Sequence, residues 1–296
     1  MSTVPSNFVT DSQSTEAEIE KIAGAARAAT RRRTRIVRLT QLAIVVALLA
    51  NWEISARYGI IDPFFFGSPL GIVQRLIEWA QEGTAFGSLW FQIWVTTEEA
   101  LLGFLVGVTS GIVLGVALGE VPFLADVFSP FIKAVNALPR IVLGSIFVMW
   151  LGLGLPSKVL LAAVLVFFVV FFNAFQGVRS VDRNFVANAR ILGASRLQVV
   201  WHVVIPSAMT WIIASLHVAL GLAIIGAIVG EFLGAQYGLG LVIATAQNTF
   251  DANGVFGTML IIGLLAGGAE VLMELLERQI LAWRPPALAV SSAKGL

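Results

Sequence analysis

The chain of 296 residues contains no cysteine, which excludes disulfides and thiolate metal sites. It has only two histidines, His202 and His217, too far apart for metal-ligand spacing. Both read as structural, and no metal site is expected. Charge is sparse as well. Asp, Glu, Lys and Arg make up 12% of the chain and the net charge is +1, which selects no partner. A Gly-x4-Gly-Lys-Ser/Thr phosphate loop is missing. Its nearest imitation, 152–158, carries Pro156 and Ser157 in the wrong places. No Ser/His/Asp cluster suggests catalysis, so the chain is not expected to be an enzyme and no catalytic residue is assigned.

What is abundant is apolar. Hydrophobic residues are 57% and the mean hydropathy is +0.87, values that fit a polytopic membrane protein and no ordinary soluble domain. A span needs roughly 20 apolar residues. The fold class expected is all-α, with about six transmembrane helices near 36–54, 91–118, 123–151, 159–175, 207–229 and 255–275. Residues 69–82 read as an amphipathic helix at the outer interface. The second span has a glycine at every fourth residue from Gly103 to Gly119, a smooth ridge for close helix approach. Glu98 and Glu99 lie near its outer part and should face a partner or water. In the third span Pro130 and Pro139 should bend or break the helix. Lys133 and Arg140 sit there on nearly one helical face and suggest a positively charged pathway wall. A pair with internal carboxylates is the alternative. The fifth span ends at Gly230-Glu231, and a Gly-rich outer segment, 234–254, follows.

Between the fourth and fifth spans lies an amphipathic stretch, 182–206. Asp182 can cap a helix, because its side chain can accept an orphan backbone N–H. Phe185, Ala189 and Leu192 recur at helical spacing. Gly193 can end that helix in the left-handed conformation. Ser195 can cap a second helix, expected to stop before Pro206. A DNA-binding helix-turn-helix has similar grammar, but a nucleic-acid reader does not belong inside a multispan domain. Of the 19 Lys and Arg, six spans with both termini inside leave three outside (Arg57, Arg75, Lys158), two in the third span and fourteen inside. That bias puts 182–206 in the cytoplasm.

This stretch resembles the loop of permease subunits of bacterial ABC importers: Glu-Ala-Ala, three residues, Gly, nine residues, Ile-x-Leu-Pro. Gly193 matches the glycine, and Val203, Ile205 and Pro206 match the end. Ala187, Asn188 and Ala189 stand at Glu-Ala-Ala, so the acidic residue is absent. Ala137-Leu-Pro-Arg-Ile-Val, Trp150-Leu-Gly-Leu-Gly with Ser157-Lys158, and Val229-Gly-Glu231 with Gly238-Leu-Gly240 are similar to the nitrate/sulfonate/taurine branch. The resemblance covers roughly 60–286.

It implies a type I importer permease fold, in the bacterial inner membrane with both termini cytoplasmic. The implied cargo is a small organic anion of sulfonate, nitrate, taurine or aromatic acid type. The implied partners are a second permease copy, two ATP-binding subunits that hold ATP and Mg, and a periplasmic or lipid-anchored solute-binding protein. Membrane lipid surrounds the chain, no nucleic acid is involved, and no cofactor is expected in the chain itself. Asp182, Ala187, Asn188, Ala189, Arg190, Gly193, Ala194, Ser195, Ile205 and Pro206 would couple to the ATPase. Lys133, Pro139, Arg140 and Glu231 would belong to the translocation pathway. The expected domains are a tail 1–34, a permease domain 35–286 with its coupling loop 178–206, and a tail 287–296. An ion-gradient-driven secondary transporter is the alternative, but no internal repeat supports it.

Overall fold

The computed structural model describes residues 7–136 and 138–280. The tail 287–296, Ala137 and the side chain of Lys133 lie outside the described residues. The chain divides into two compact units, each described by itself: the part up to Pro63 with Ser68–Leu70, and Phe64–Gly67 with the chain from Gly71 onward.

Among the described residues the regular elements are all helical. The first unit is α1 (Asn7–Arg57), whose residues from Arg32 onward are long and apolar enough to cross a membrane. Near its end Glu53 accepts from Arg57 Nε at 2.8 Å and from the Leu70 amide at 3.1 Å.

The second unit is built on α4 (Leu89–Glu120), α7 (Leu155–Arg179) and α10 (Ile205–Leu233). The glycine ridge of α4 seats on α7. A Cβ at Gly107 would lie 2.7 Å from the Ala163 carbonyl oxygen, and one at Gly115 2.7 Å from that of Phe171. Gly103 meets Ala162 and Gly119 meets Val178, so the two helices run parallel in register. The approach is close because only hydrogen stands on the ridge, and van der Waals contact then holds the pair. α10 runs antiparallel to α7 and also packs on α4. Its Gly226 faces Ala162 and its Gly230 faces Lys158, while Gly177 of α7 faces Ala208. Val166, Val170, Ala219, Ala223 and Ala227 are fully buried between them.

α12 (Ala252–Ile280) is the last long apolar helix. The amphipathic helix expected at 69–82 is α3 (Pro69–Gln81), preceded by the single turn α2 (Pro63–Phe66). Arg75 of α3 reaches Asp251 at 3.0 Å, just before α12.

Two features differ from expectation. Among the described residues five helices are long and apolar enough to span, and Arg140–Leu151 is a shorter apolar helix. The segment 123–151 is divided into α5 (Pro122–Asn136), a 3-10 turn (Arg140–Val142) and α6 (Leu143–Leu151). Pro130 stays inside α5, and the break falls next to Pro139, which has no N–H to give and restricts the residue before it. Lys133 and Arg140 therefore do not share a helix. The Gly-rich segment 234–254 also contains an unexpected helix, α11 (Leu239–Asn248).

Candidate functional site

At one end of the bundle the stretch 182–206 forms a hook. Asp182 Oδ1 accepts from the Asn184 amide at 2.9 Å and starts α8 (Arg183–Ile191). Gly193 at φ 85° ends it: its amide donates to the Arg190 carbonyl and that of Ala194 to the Ala189 carbonyl, both at 3.0 Å. These two bonds satisfy carbonyls that a helix end leaves without partners. Ser195 and Gln198 then cap each other reciprocally and start α9 (Arg196–Val199).

The second helix does not stop before Pro206. It passes through a π-helical turn (Val200–Val204) directly into α10, giving one apolar helix from Arg196 to Leu233. The Ile205 amide donates to the carbonyl of Val200, five residues back. This wider turn accommodates the proline, whose missing N–H and bulky ring would disturb a regular helix.

The hook's inner side is apolar. Val186, Ala189 and Ala194 pack on Ala174, Val178, Val204 and Ala208. Ala187, Asn188, Arg190, Gly193 and Ser195 face out, and Ile205 and Pro206 are half-buried. The residues missed from sequence are the apolar ones that also face out. Ile191 is 82% and Leu192 87% exposed, with Phe185, Leu197 and Trp201 bare beside them. Phe185 and Leu192 look like core positions by spacing, so their exposure is the signal.

At the other end a polar cluster is buried where α4, α7, α10 and α11 meet. Glu231 Oε1 accepts from the Thr96 hydroxyl and Oε2 from the Gly240 amide, both at 2.6 Å. Thr96 Oγ1 accepts from the Leu239 amide at 2.9 Å, and Gln92 Oε1 from the Gly238 amide at 2.7 Å. The first N–H groups of α11 are thus held by side chains of α4 and α10, and the Glu231 carboxyl lies at its positive end. Side chains at Gly238 and Gly240 would collide with Glu231. Glu99 of α4 is also buried. Lys158 is fully buried in the first turn of α7, not in an exposed turn, and its ammonium donates to the carbonyls of Leu153 and Gly154. Two motifs that are far apart in sequence, 150–158 and 229–240, therefore meet in one place. Gln92 and Thr96 were missed because no local pattern marks them, and Lys158 was named only within the 150–158 motif and among the outside charges.

Of the other candidate residues, Pro139 is exposed and Arg140 is half-buried, with its guanidinium 4.7 Å over the Phe168 ring. His217 bridges α10 to α12: its ring nitrogens meet Glu270 at 2.6 Å and Glu277 at 3.0 Å. An apolar cavity of about 250 Å³ lies among α4, α10 and α12, lined by Thr96, Ala100, Phe104, Ala223, Leu272 and Met273. Among the described residues no group of three or more His, Asp or Glu could hold a metal ion.

Residues 107–281 match the family described as binding-protein-dependent transport system inner membrane component. That match takes in the hook, Lys158, Glu231 and the start of α11, and the chain belongs to this family of integral membrane permeases. Among its relatives is the putative aliphatic sulfonates transport permease protein SsuC of Bacillus subtilis, 29% identical over 82% of this chain and 87% of its own length. Another is the formylaminopyrimidine transport permease protein ThiX of Halalkalibacterium halodurans, 34% identical over 80% of this chain and 92% of its own. The taurine transport system permease protein TauC of Escherichia coli is 28% identical over 81% and 87%. In inward-facing structures of the MetNI methionine ABC transporter, one chain aligns with a TM-score of 0.57 at 17% identity, over 67% of this chain and 96% of that one. The fold is that of a type I ABC importer permease.

Proposed function

We propose that this chain forms the translocation pathway of an ABC importer in the bacterial inner membrane and takes its energy from ATP hydrolysed on a separate subunit. The observation that carries this reading is the hook. It is an ordered, doubly capped turn that leaves an apolar face bare and continues without interruption into a membrane-spanning helix. An exposed apolar patch of this kind suits a protein partner, and the continuous helix would carry the partner's movement into the membrane.

In this reading 178–206 is the coupling loop of a permease domain 35–286, with the tails 1–34 and 287–296 on the same cytoplasmic side. Asp182, Gly193, Ala194 and Ser195 shape the hook, and Ala187, Asn188 and Arg190 face the ATPase. Ala189 seats the hook, and Ile205 and Pro206 join it to α10. Two copies would enclose the pathway, fed by a solute-binding protein. Pro139, Arg140 and Lys133 belong to its wall, and Glu231 fixes that wall from behind. The cargo is a small organic anion of the sulfonate or taurine type. The names of two relatives and the cation at Arg140 support it.

The test is purification of the tagged chain from its native host in detergent, with the stoichiometry of what accompanies it. One ATPase subunit per permease is expected. A lone chain that moves solute without ATP overturns the reading in favour of a secondary transporter.

A further inference from the structure

The arginines where the first spanning helix begins have no acid nearby. From Lys21 to Trp52 the sequence contains neither Asp nor Glu. Arg32, Arg33, Arg35 and Arg38 of α1 are exposed, and none of them forms an ion pair among the described residues. The far end of the helix differs. There Arg57 Nε meets the Glu53 carboxylate at 2.8 Å. Arg57 is thus neutralised within α1, whereas the four guanidinium groups at the start are left for a partner from outside it.

The placing of the four identifies that partner. Arg38 and Arg57 are 19 residues apart in one uninterrupted helix. That is a rise of roughly 28 Å, close to the ~30 Å of a hydrocarbon core. With the apolar stretch across the core, Arg38 stands at one boundary and Arg57 at the other. Arg32 to Arg38 cover about 9 Å of the axis, on the scale of the headgroup layer of one leaflet, roughly 5–8 Å. The four also surround the helix. At about 100° per residue, Arg33, Arg38 and Arg35 lie roughly 100°, 240° and 300° around the axis from Arg32. They form a collar and not a stripe. A protein or nucleic acid docked from one side would cover only part of it, whereas lipid headgroups stand on every side of a spanning helix.

The chemistry fits the same partner. A guanidinium presents a planar fork of donors that matches a phosphate, and the charge strengthens each bond. A zwitterionic headgroup already carries an ammonium beside its phosphate. An anionic headgroup does not, so the collar distinguishes the two. Arg38, the deepest of the four, can lay its apolar stem along the helix and return its charge to the headgroup layer.

We infer that Arg32, Arg33, Arg35 and Arg38 form a binding collar for the headgroups of anionic phospholipids, which fixes the depth of the first span. The collar works on whichever side of the membrane α1 begins, and it needs no ATPase partner.

The experiment is electron spin resonance of the full-length chain in phosphatidylcholine vesicles, with spin-labelled phosphatidylglycerol or spin-labelled phosphatidylcholine as the probe. The wild-type chain should prefer phosphatidylglycerol, by roughly fivefold for a headgroup held by one arginine. High salt should reduce the preference, because the contact is made in reach of water. Inorganic phosphate should reduce it no more than sodium chloride of equal ionic strength. The variant R32Q/R33Q/R35Q/R38Q should lose most of the preference, and the control Arg57→Gln should keep it. The paired variants R32Q/R33Q and R35Q/R38Q should each lose part, which tests the collar even where the fourfold variant fails to accumulate. A wild-type chain that takes both lipids equally, or a preference undiminished in the fourfold and paired variants, would overturn the assignment.

Discussion

Thr96 and Glu231 stand 135 residues apart in the chain and are joined by a 2.6 Å hydrogen bond inside the bundle. The same hydroxyl oxygen accepts the Leu239 amide, so one small side chain holds together α4, α10 and α11.

Replacing Thr96 by Val keeps the volume and removes both bonds. It leaves a buried N–H and a buried carboxylate oxygen short of a partner, a cost of about 1–3 kcal/mol. The melting temperature of T96V should fall by several degrees. Thr97 is exposed and bonds only the Ile93 carbonyl of its own helix, so T97V should melt as the wild type does.

The glycine ridge predicts two opposite signs from one kind of substitution. Gly107→Ala drives a methyl into the Ala163 carbonyl, which belongs to the backbone and has little room to give. Gly221→Ala meets nothing within 4 Å and should gain roughly 1 kcal/mol of helix propensity. Thermal unfolding in detergent should rank G221A above the wild type and G107A below it.

Gly193 has open space around its missing side chain, so its requirement is conformational and not steric. Gly193→Asn should keep the turn, since Asn tolerates positive φ, while Gly193→Val should cost about 1–2 kcal/mol of local strain. In the assembled importer, substrate-stimulated ATPase activity should survive in G193N and be lost in G193V. Equal stimulation in both would show that the turn does not carry the coupling.

Arg140 stacks on Phe168 through a planar group that lysine lacks. Arg140→Lys keeps the charge and loses the stack, a contact worth on the order of 1 kcal/mol. R140K and Phe168→Leu should each raise the KM for an anionic cargo several-fold in vesicle uptake, and R140A should weaken uptake further.

His217 is shared by Glu270 and Glu277, so the three should not behave independently. His217→Ala combined with Glu270→Gln should be less damaging than the sum of the two single changes. The interaction energy, measured by a double-mutant cycle of melting temperatures, should be about 0.5–3 kcal/mol.

Much of the architecture could be read locally. The glycine spacing named the face of α4 that seats on α7, and Asp182, Gly193 and Ser195 marked the hook's helix ends, because caps and close approaches are written in neighbouring residues. What escaped depends on distant partners. Pro206 is a stop signal by itself, but the wide turn before it lets the helix continue. Lys158 follows a Gly-Leu-Gly turn and looks exposed until α10 is placed beside it. α11 is built from a Gly-rich segment with weak helical character, and its first N–H groups are held by residues of two other helices. Glu99 had to face a partner or water by the cost of charge in a membrane, yet only the assembled bundle shows that it is buried.

The helix from Arg196 to Leu233 has 38 residues and is therefore roughly 57 Å long. In the proposed importer it would work as a lever. A tilt of about 5° about one end of a rod of that length displaces the other end by about 5 Å, close to one helical turn. The hook sits at one end of this lever and Glu231 near the other. In that reading a small angular change imposed on the hook would become, at Glu231, a shift longer than any hydrogen bond in the polar cluster can follow.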